Sequence, residues 1–488
     1  MSTQTTPNFP TTAINLEEFS KVLTELCPSV SKQTAFTSLG PDHISNLPTE
    51  ILESIFSLLA DEVEGDESQP LSHILSSVSH HWRCVAINLP YLWTEIYIIP
   101  PYSVEKLRFY LERSRACPID LFLGIPEDNP PKKEQLMQLL EILIPHFSRC
   151  RILDIASGDV VEPLHHLIRL LVSFEMPELE CFTFVVEEGT NPTSQAGDDS
   201  LPTLFSGHAP KLKQVRLGGP TITRYKLPLT NVTTFHLAAA YWQIPFDTLV
   251  SMLAECPALQ TLATYDDVID EWPDQYWGQI DLPHLKSLQI YGDMRHVSEL
   301  LLAIVAPIEN LTVAPVIRDD FIELDSWLIG HQSNYAATLR TLTLAPSLKN
   351  SLPFAASCFP LIENLVLVNF RPKILLQLFI DSTPFVWPNL QRMSVRNLNK
   401  AAVVVLKTII EHRQYIDLPL KKLRVDRASW RRTDMKWFTE RLEVEIRDDW
   451  MVQRENLLYR DEVEEEDRFV LSPNTLSEDE TTAAPSDI

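Results

Sequence analysis

The chain has 488 residues, 45% of them hydrophobic, with 41 Lys and Arg against 66 Asp and Glu and a formal charge of −25. That length exceeds one ordinary core, so several units or one extended repeat array are expected. The charge argues against general nucleic-acid binding, which needs clustered cations on phosphate, and no apolar run reaches the roughly 18 residues of a membrane helix.

Residues 1–40 form an N-terminal extension. Its polar first stretch has neither a basic start nor an apolar core, so a secretory signal is not expected and a cytoplasmic or nuclear location is. Within it, Leu16, Phe19, Leu23 and Leu26 fall at helical spacing, ending at Cys27 before Pro28. The seven cysteines are widely spaced without a Cys-x-x-Cys, which favours reduced thiols over a disulfide or zinc framework.

Residues 41–97 read as a small helical module. Pro48 is tolerated in a first turn capped by Asn46 or Thr49, and Ile51, Leu52, Ile55, Phe56 and Leu59 make one broad apolar face. The tract Asp61–Glu67 holds five acids in seven residues and is expected to be a solvated insertion. Helicity is expected to resume near Leu71 and to carry Ile74, Leu75, Val78, Trp82 and Val85 before Pro90, with Trp93 packing back.

Leu47-Pro48-x-Glu50-Ile51-Leu52, then Ile55-Phe56, then Ser79-x-x-Trp82-Arg83 and Leu89-Pro90-x-Leu92-Trp93 together resemble the F-box in its fungal form. The resemblance covers about a tenth of the chain. It implies a Skp-family adaptor as partner and the cullin ligase core beyond it, with Leu47, Pro48, Ile51, Leu52, Ile55 and Trp82 as candidate adaptor contacts. The other reading of Ile55, Phe56 and Trp82 is internal core.

Residues 98–447 begin with a helix over Val104–Ser114 and a strand over Ile119–Leu123. An apolar-x-x-apolar-x-apolar pattern then starts at Cys150, Leu179, Leu212, Val232, Leu259, Leu285, Ile308, Leu339, Ile362, Leu390 and Leu420, on average every 27 residues. Thr264 breaks the pattern once. Helical stretches fall between several of these, at Phe246–Ala254, Val297–Val305, Ile374–Ile380 and Ala402–His412. Pro177, Pro210, Pro257, Pro283, Pro360 and Pro388 sit just ahead of strand segments. The array resembles a divergent leucine-rich-repeat solenoid, lacking most of the consensus Asn or Cys; an ordinary α/β domain is the alternative. Residues 448–488, with 13 acids against three basic residues, read as a disordered acidic tail.

The expected fold is therefore α/β: a small N-terminal helical F-box, a divergent leucine-rich-repeat solenoid of horseshoe type, and an acidic tail. Residues 392–436 carry twelve basic and four acidic side chains, and alternation turns Arg392, Arg396, Lys422 and Arg424 outward. These could hold an acidic or phosphorylated partner segment, or the chain's own acids at 461–467. Ser472-Pro473 and Ser477–Glu480 resemble kinase sites whose phosphates would strengthen such pairing.

Catalytic and metal motifs are missing from the sequence: there is no GxSxG, HExxH or GxxxxGK[ST]. His80-His81 and His165-His166 are adjacent pairs that do not converge on one site, and Asp267, Asp270 and Asp274 with Trp272 and Trp277 suit an inter-repeat loop. No enzyme activity, metal, cofactor, nucleic acid or membrane is expected. The function implied by the resemblance is substrate receptor of a cullin-type (SCF) ubiquitin ligase, with a protein-binding scaffold outside any ligase as the alternative. The target itself is not readable.

Overall fold

The structure is a computed structural model that describes residues 47–62, 70–126, 129–158, 162–186, 202–219, 221–239, 242–274, 278–291, 297–314, 337–344, 352–368, 372–380, 385–396, 400–426 and 432–446. Expectations for Leu16–Cys27, for most of the acidic insertion and for the tail lie outside these residues. The chain divides into two compact units, one running to Thr94 and including Tyr110–Arg115, the other holding Glu95–Phe109 and everything from Ala116.

In the first unit, α1 (Thr49–Glu62), α2 (Leu71–Val78) and α3 (His80–Asn88) are followed by a 3-10 turn at Pro90–Trp93. Helix α1 runs two residues into the acidic tract, further than expected. Leu52, Phe56 and Leu59, at i, i+4 and i+7, are its buried stripe. The single helix expected from Leu71 to Val85 is broken at Ser79. The extended Ser79 accepts the Trp82 N–H on its Oγ (3.1 Å), so the serine caps a new helix instead of continuing the old one. Phe56 meets Trp82 edge-on at 5.1 Å, and the Trp93 indole donates to Ala86 O (2.9 Å) while packing on Tyr110 at 5.4 Å. The N–H of a buried tryptophan usually finds a partner, and that of Trp93 does.

The second unit is built on one parallel sheet. Its strands are β1 (Glu95–Ile98), β2 (Ile119–Ile125), β3 (Cys150–Ser157), β4 (Cys181–Val186), β5 (Gln214–Gly218), β6 (Thr234–Ala238) and β7 (Thr261–Tyr265). They continue as β8 (Ser287–Tyr291), β9 (Asn310–Ala314), β10 (Thr341–Leu344), β11 (Asn364–Val368), β12 (Arg392–Arg396), β13 (Lys422–Val425) and β14 (Glu443–Ile446). Order in the sheet is order in the chain, and every neighbouring pair is parallel. All eleven repeat starts lead into a strand. Two further strands, β1 and β14, were not anticipated: each is a four-residue alternation without a leading leucine. Helix α4 (Val104–Arg113) starts in this unit and ends among residues of the first, and the returns include α5 (Lys133–Leu143), α6 (Glu162–Ser173), α7 (Phe246–Ala254), α8 (Val297–Ala303), α9 (Leu352–Cys358), α10 (Pro372–Ile380), α11 (Lys400–Tyr415) and α12 (Arg432–Thr439). Helix α8 stops at Ala303 rather than Val305, because Ile304–Val305 pairs as a short strand with Ile280–Asp281.

The repeat pattern has a direct physical cause. The prolines ahead of the strands stand second in tight turns: Leu179 N–H bonds Met176 O, Leu212 bonds Ala209, Leu259 bonds Cys256, Leu285 bonds Leu282 and Leu390 bonds Trp387, at 3.0–3.2 Å. Proline presets φ at that turn position, and the closing residue of each turn is the first, fully buried leucine of its repeat. The next residue hooks onto the preceding coil through its N–H, as Lys286 does to Gln260 O, Glu309 to Lys286 O, Arg340 to Glu309 O and Glu363 to Arg340 O, all at 2.8–2.9 Å. Side chains in that column alternate in sign, with Lys286 3.4 Å from Glu309 and Arg340 3.3 Å from Glu363. Such exposed pairs stabilise little, but they disfavour a slipped register.

Candidate functional site

The adaptor-facing candidates separate by burial. Leu52 is 0% exposed and Trp82 1%, so both serve the interior of the module. Helical geometry explains this: Leu52 shares its stripe with Phe56 and Leu59, and Trp82 meets Phe56. Leu47 and Ile55 are half-buried, Pro48 is exposed, and Ile51 is 48% exposed. The Leu47-Pro48 segment is fixed in place from two sides. His81 Nε2 lies 3.1 Å from Leu47 O, and since a carbonyl only accepts, the imidazole carries its proton on Nε2 there. Pro48 O accepts the N–H groups of Ile51 and Leu52 at 3.1 Å, starting α1.

Sequence reasoning missed Leu58 and Val78, which are 52% and 45% exposed. Leu58 stands seven residues after Ile51 and so falls on the same face of α1, with Ile55 between them. The spacing was available in the sequence, but the Leu58-Leu59 pair hides it by supplying one residue to each face. Helix α1 therefore carries two apolar stripes. One, Leu52–Phe56–Leu59, builds the module; the other, Ile51–Ile55–Leu58, faces away from it. Glu50, Glu53, Ser54 and Ser57 are exposed around the second stripe.

The second candidate, the outward basic residues, is changed by the unanticipated β14. Register places Glu443 beside Lys422 and Glu445 beside Arg424. Lys422 Nζ lies 2.9 Å from Glu443 and 2.8 Å from Glu445, and Arg424 Nη2 lies 3.1 Å from Glu445. Bonding to the Lys422 ammonium, helped by Arg424, draws the Glu445 carboxyl down to about 2. Two of the four basic candidates thus have internal counter-charges. Arg392 donates through Nε to Asn364 Oδ1 on the preceding strand, and Arg396 has no ion pair among the described residues.

Midway along the sheet, Arg216, His236 and Tyr265 are buried although they sit on the outward face. Arg216 lies over the Tyr265 ring at 5.0 Å and His236 Nδ1 is 3.1 Å from the Tyr265 hydroxyl. Burial, reinforced by the nearby Arg216 charge, pushes the His236 imidazole down to about 4. Among the described residues no group of three or more His, Cys, Asp or Glu is placed to hold a metal ion. No described helix is long and apolar enough to cross a membrane.

A protein-family model described as F-box-like matches residues 44–99. The match takes in α1 to α3, the 3-10 turn and β1. A comparison with curated proteins found no match.

Proposed function

We propose that this chain is the substrate-recognition subunit of a cullin-type (SCF) ubiquitin ligase, its F-box docking a Skp-family adaptor and its sheet-bearing unit docking the target protein. F-box domains generally bind Skp-family adaptors. The observation that carries the reading here is the second apolar stripe of α1, Ile51–Ile55–Leu58, which the module does not bury. Two exposed aliphatic groups, Ile51 and Leu58, with half-buried Ile55 between them, fall at i, i+4 and i+7, the spacing of anchors on a helix seated in an apolar groove. On this reading Leu52 and Trp82 hold the stripe's shape from inside, and Pro48 extends it.

The sheet-bearing unit is a divergent leucine-rich-repeat solenoid in this account. The chain-order parallel strands, the proline turns and the coil-to-coil hooks support it. The chain breaks no bond itself; it raises the target's effective concentration at the ligase, in the cytoplasm or nucleus. Size-exclusion chromatography of the full chain with a purified Skp-family adaptor and a cullin tests this. A ternary complex is expected, and a chain eluting alone overturns it in favour of a scaffold outside any ligase.

A further inference from the structure

The sheet ends at β14, and among the described residues no further coil follows it. A stacked coil buries its inward side chains between the coils on either side of it. Leu423 and Val425 of β13 are accordingly fully buried, but their register partners on β14 are not: Val444 is half-buried and Ile446 is 40% exposed. At the other end of the sheet the inward pair of β1, Ile96 and Ile98, is buried. Counting back along the register, Arg441 stands where the preceding coil has its leading leucine, Leu420. Its guanidinium lies 4.1 Å from the centre of the Trp437 ring on α12, the helix that packs against β14. The apolar core of the array is thus left open at its C-terminal end.

We propose that residues 450–459 of this chain dock on that end as its cap, covering Val444 and Ile446. They lie outside the described residues, and their sequence fits the role. Three residues, 447–449, separate Ile446 from Trp450, the length that also joins β11 to α10 (369–371) and β12 to α11 (397–399). At helical spacing Trp450, Met451, Leu457 and Leu458 fall within an arc of about 120°, with Arg454 the one polar residue inside it. Asp448 and Asp449 come just before, where acids favour a helix start. Ten of the thirteen acids of residues 448–488 follow Tyr459, so the apolar segment and the acidic run are separate features of the tail. A segment tethered this close has a high effective concentration at the open end, whereas a second copy must overcome the repulsion of two chains of charge −25.

The test is hydrogen exchange, read by mass spectrometry on peptides covering residues 440–447 of the full chain. A Trp450→Asp/Leu457→Asp variant is compared with a Val452→Asp/Tyr459→Asp variant, which carries the same charges on the opposite side of the segment. The first is expected to exchange the β14 amides about tenfold or more faster than the wild type, and the second at the wild-type rate. Trp450 reports on its own burial: the fluorescence that Trp450→Phe removes is expected to be shielded from acrylamide. Equal exchange by the wild type and the first variant, acceleration by both double variants, or a fully quenched Trp450 overturns the proposal. Protection of β14 that falls on dilution, with a dimer in light scattering, overturns it in favour of a second copy. The inference does not rest on the ligase reading, and both variants are expected to bind the adaptor as the wild type does.

Discussion

Replacing His236 with Gln should remove a defined part of the chain's acid sensitivity. In the folded protein burial and the Arg216 charge push this imidazole from the ordinary 6.5 down to about 4, whereas the unfolded chain titrates normally. A depressed folded value means that the unfolded state takes up the proton first. Stability from His236 is therefore complete above pH 6.5 and is lost as the pH falls toward 4. The linkage amounts to about 1.4 kcal/mol at pH 5.5 and about 2.5 kcal/mol at pH 4.5 relative to pH 7.5. Urea unfolding of the wild type and the variant at these three pH values isolates it, because the many carboxylates contribute equally to both. The variant starts less stable at pH 7.5, having lost the bond to the Tyr265 hydroxyl, and the two curves converge on acidification. Wild type and variant losing stability in parallel from pH 7.5 to 4.5 would refute the buried neutral histidine.

Other substitutions follow from the same structure. Gly219 has φ +65, and an added Cβ would lie 2.0 Å from Val186 O on the neighbouring coil, so Gly219→Ala should cost at least about 2 kcal/mol in thermal or urea unfolding. Arg413 is 1% exposed and donates to the carbonyls of Val386, Trp387 and Leu390 at 3.1–3.5 Å, bracing a turn in which Trp387 has φ +45. Arg413→Met should destabilise by about 2–3 kcal/mol, the lost charge-assisted bonds being partly offset by relief of a guanidinium that burial holds down to about 10. In the module, Phe56→Ala should cost about 3–5 kcal/mol, whereas Leu58→Ala should stay within about 0.5 kcal/mol, since only Phe56 is buried.

Most of the strand framework was legible in the sequence because the turn and the core act on the same residue. A proline second in the turn and a leucine at its close leave a double mark at five of the eleven starts, and the apolar spacing alone marked the rest. Strands β1 and β14 lacked that mark and escaped notice, although Glu95–Ile98 and Glu443–Ile446 alternate as strands do. Missing β14 had a consequence for function: its two glutamates neutralise Lys422 and Arg424, which the sequence alone presents as open cations. The break at Ser79 was written in the residue type, yet the apolar spacing from Leu71 to Val85 spans it. In the module, sequence periodicity located the apolar residues of α1 but could not sort Leu52 from Ile51. Adjacent apolar residues point 100° apart, and which one meets Trp82 is decided by tertiary packing.

The account stands or falls on the outward stripe of α1. Isothermal titration of a purified Skp-family adaptor into the full chain, and into an Ile51→Asp/Leu58→Asp variant, measures it directly. Both residues are exposed, so the variant should melt as the wild type does. The prediction is saturable binding by the wild type and a loss of about a hundredfold or more in the variant, the scale of two apolar anchors replaced by charge. No binding by the wild type, or equal binding by the two proteins, would contradict the assignment of this face as the adaptor-docking surface.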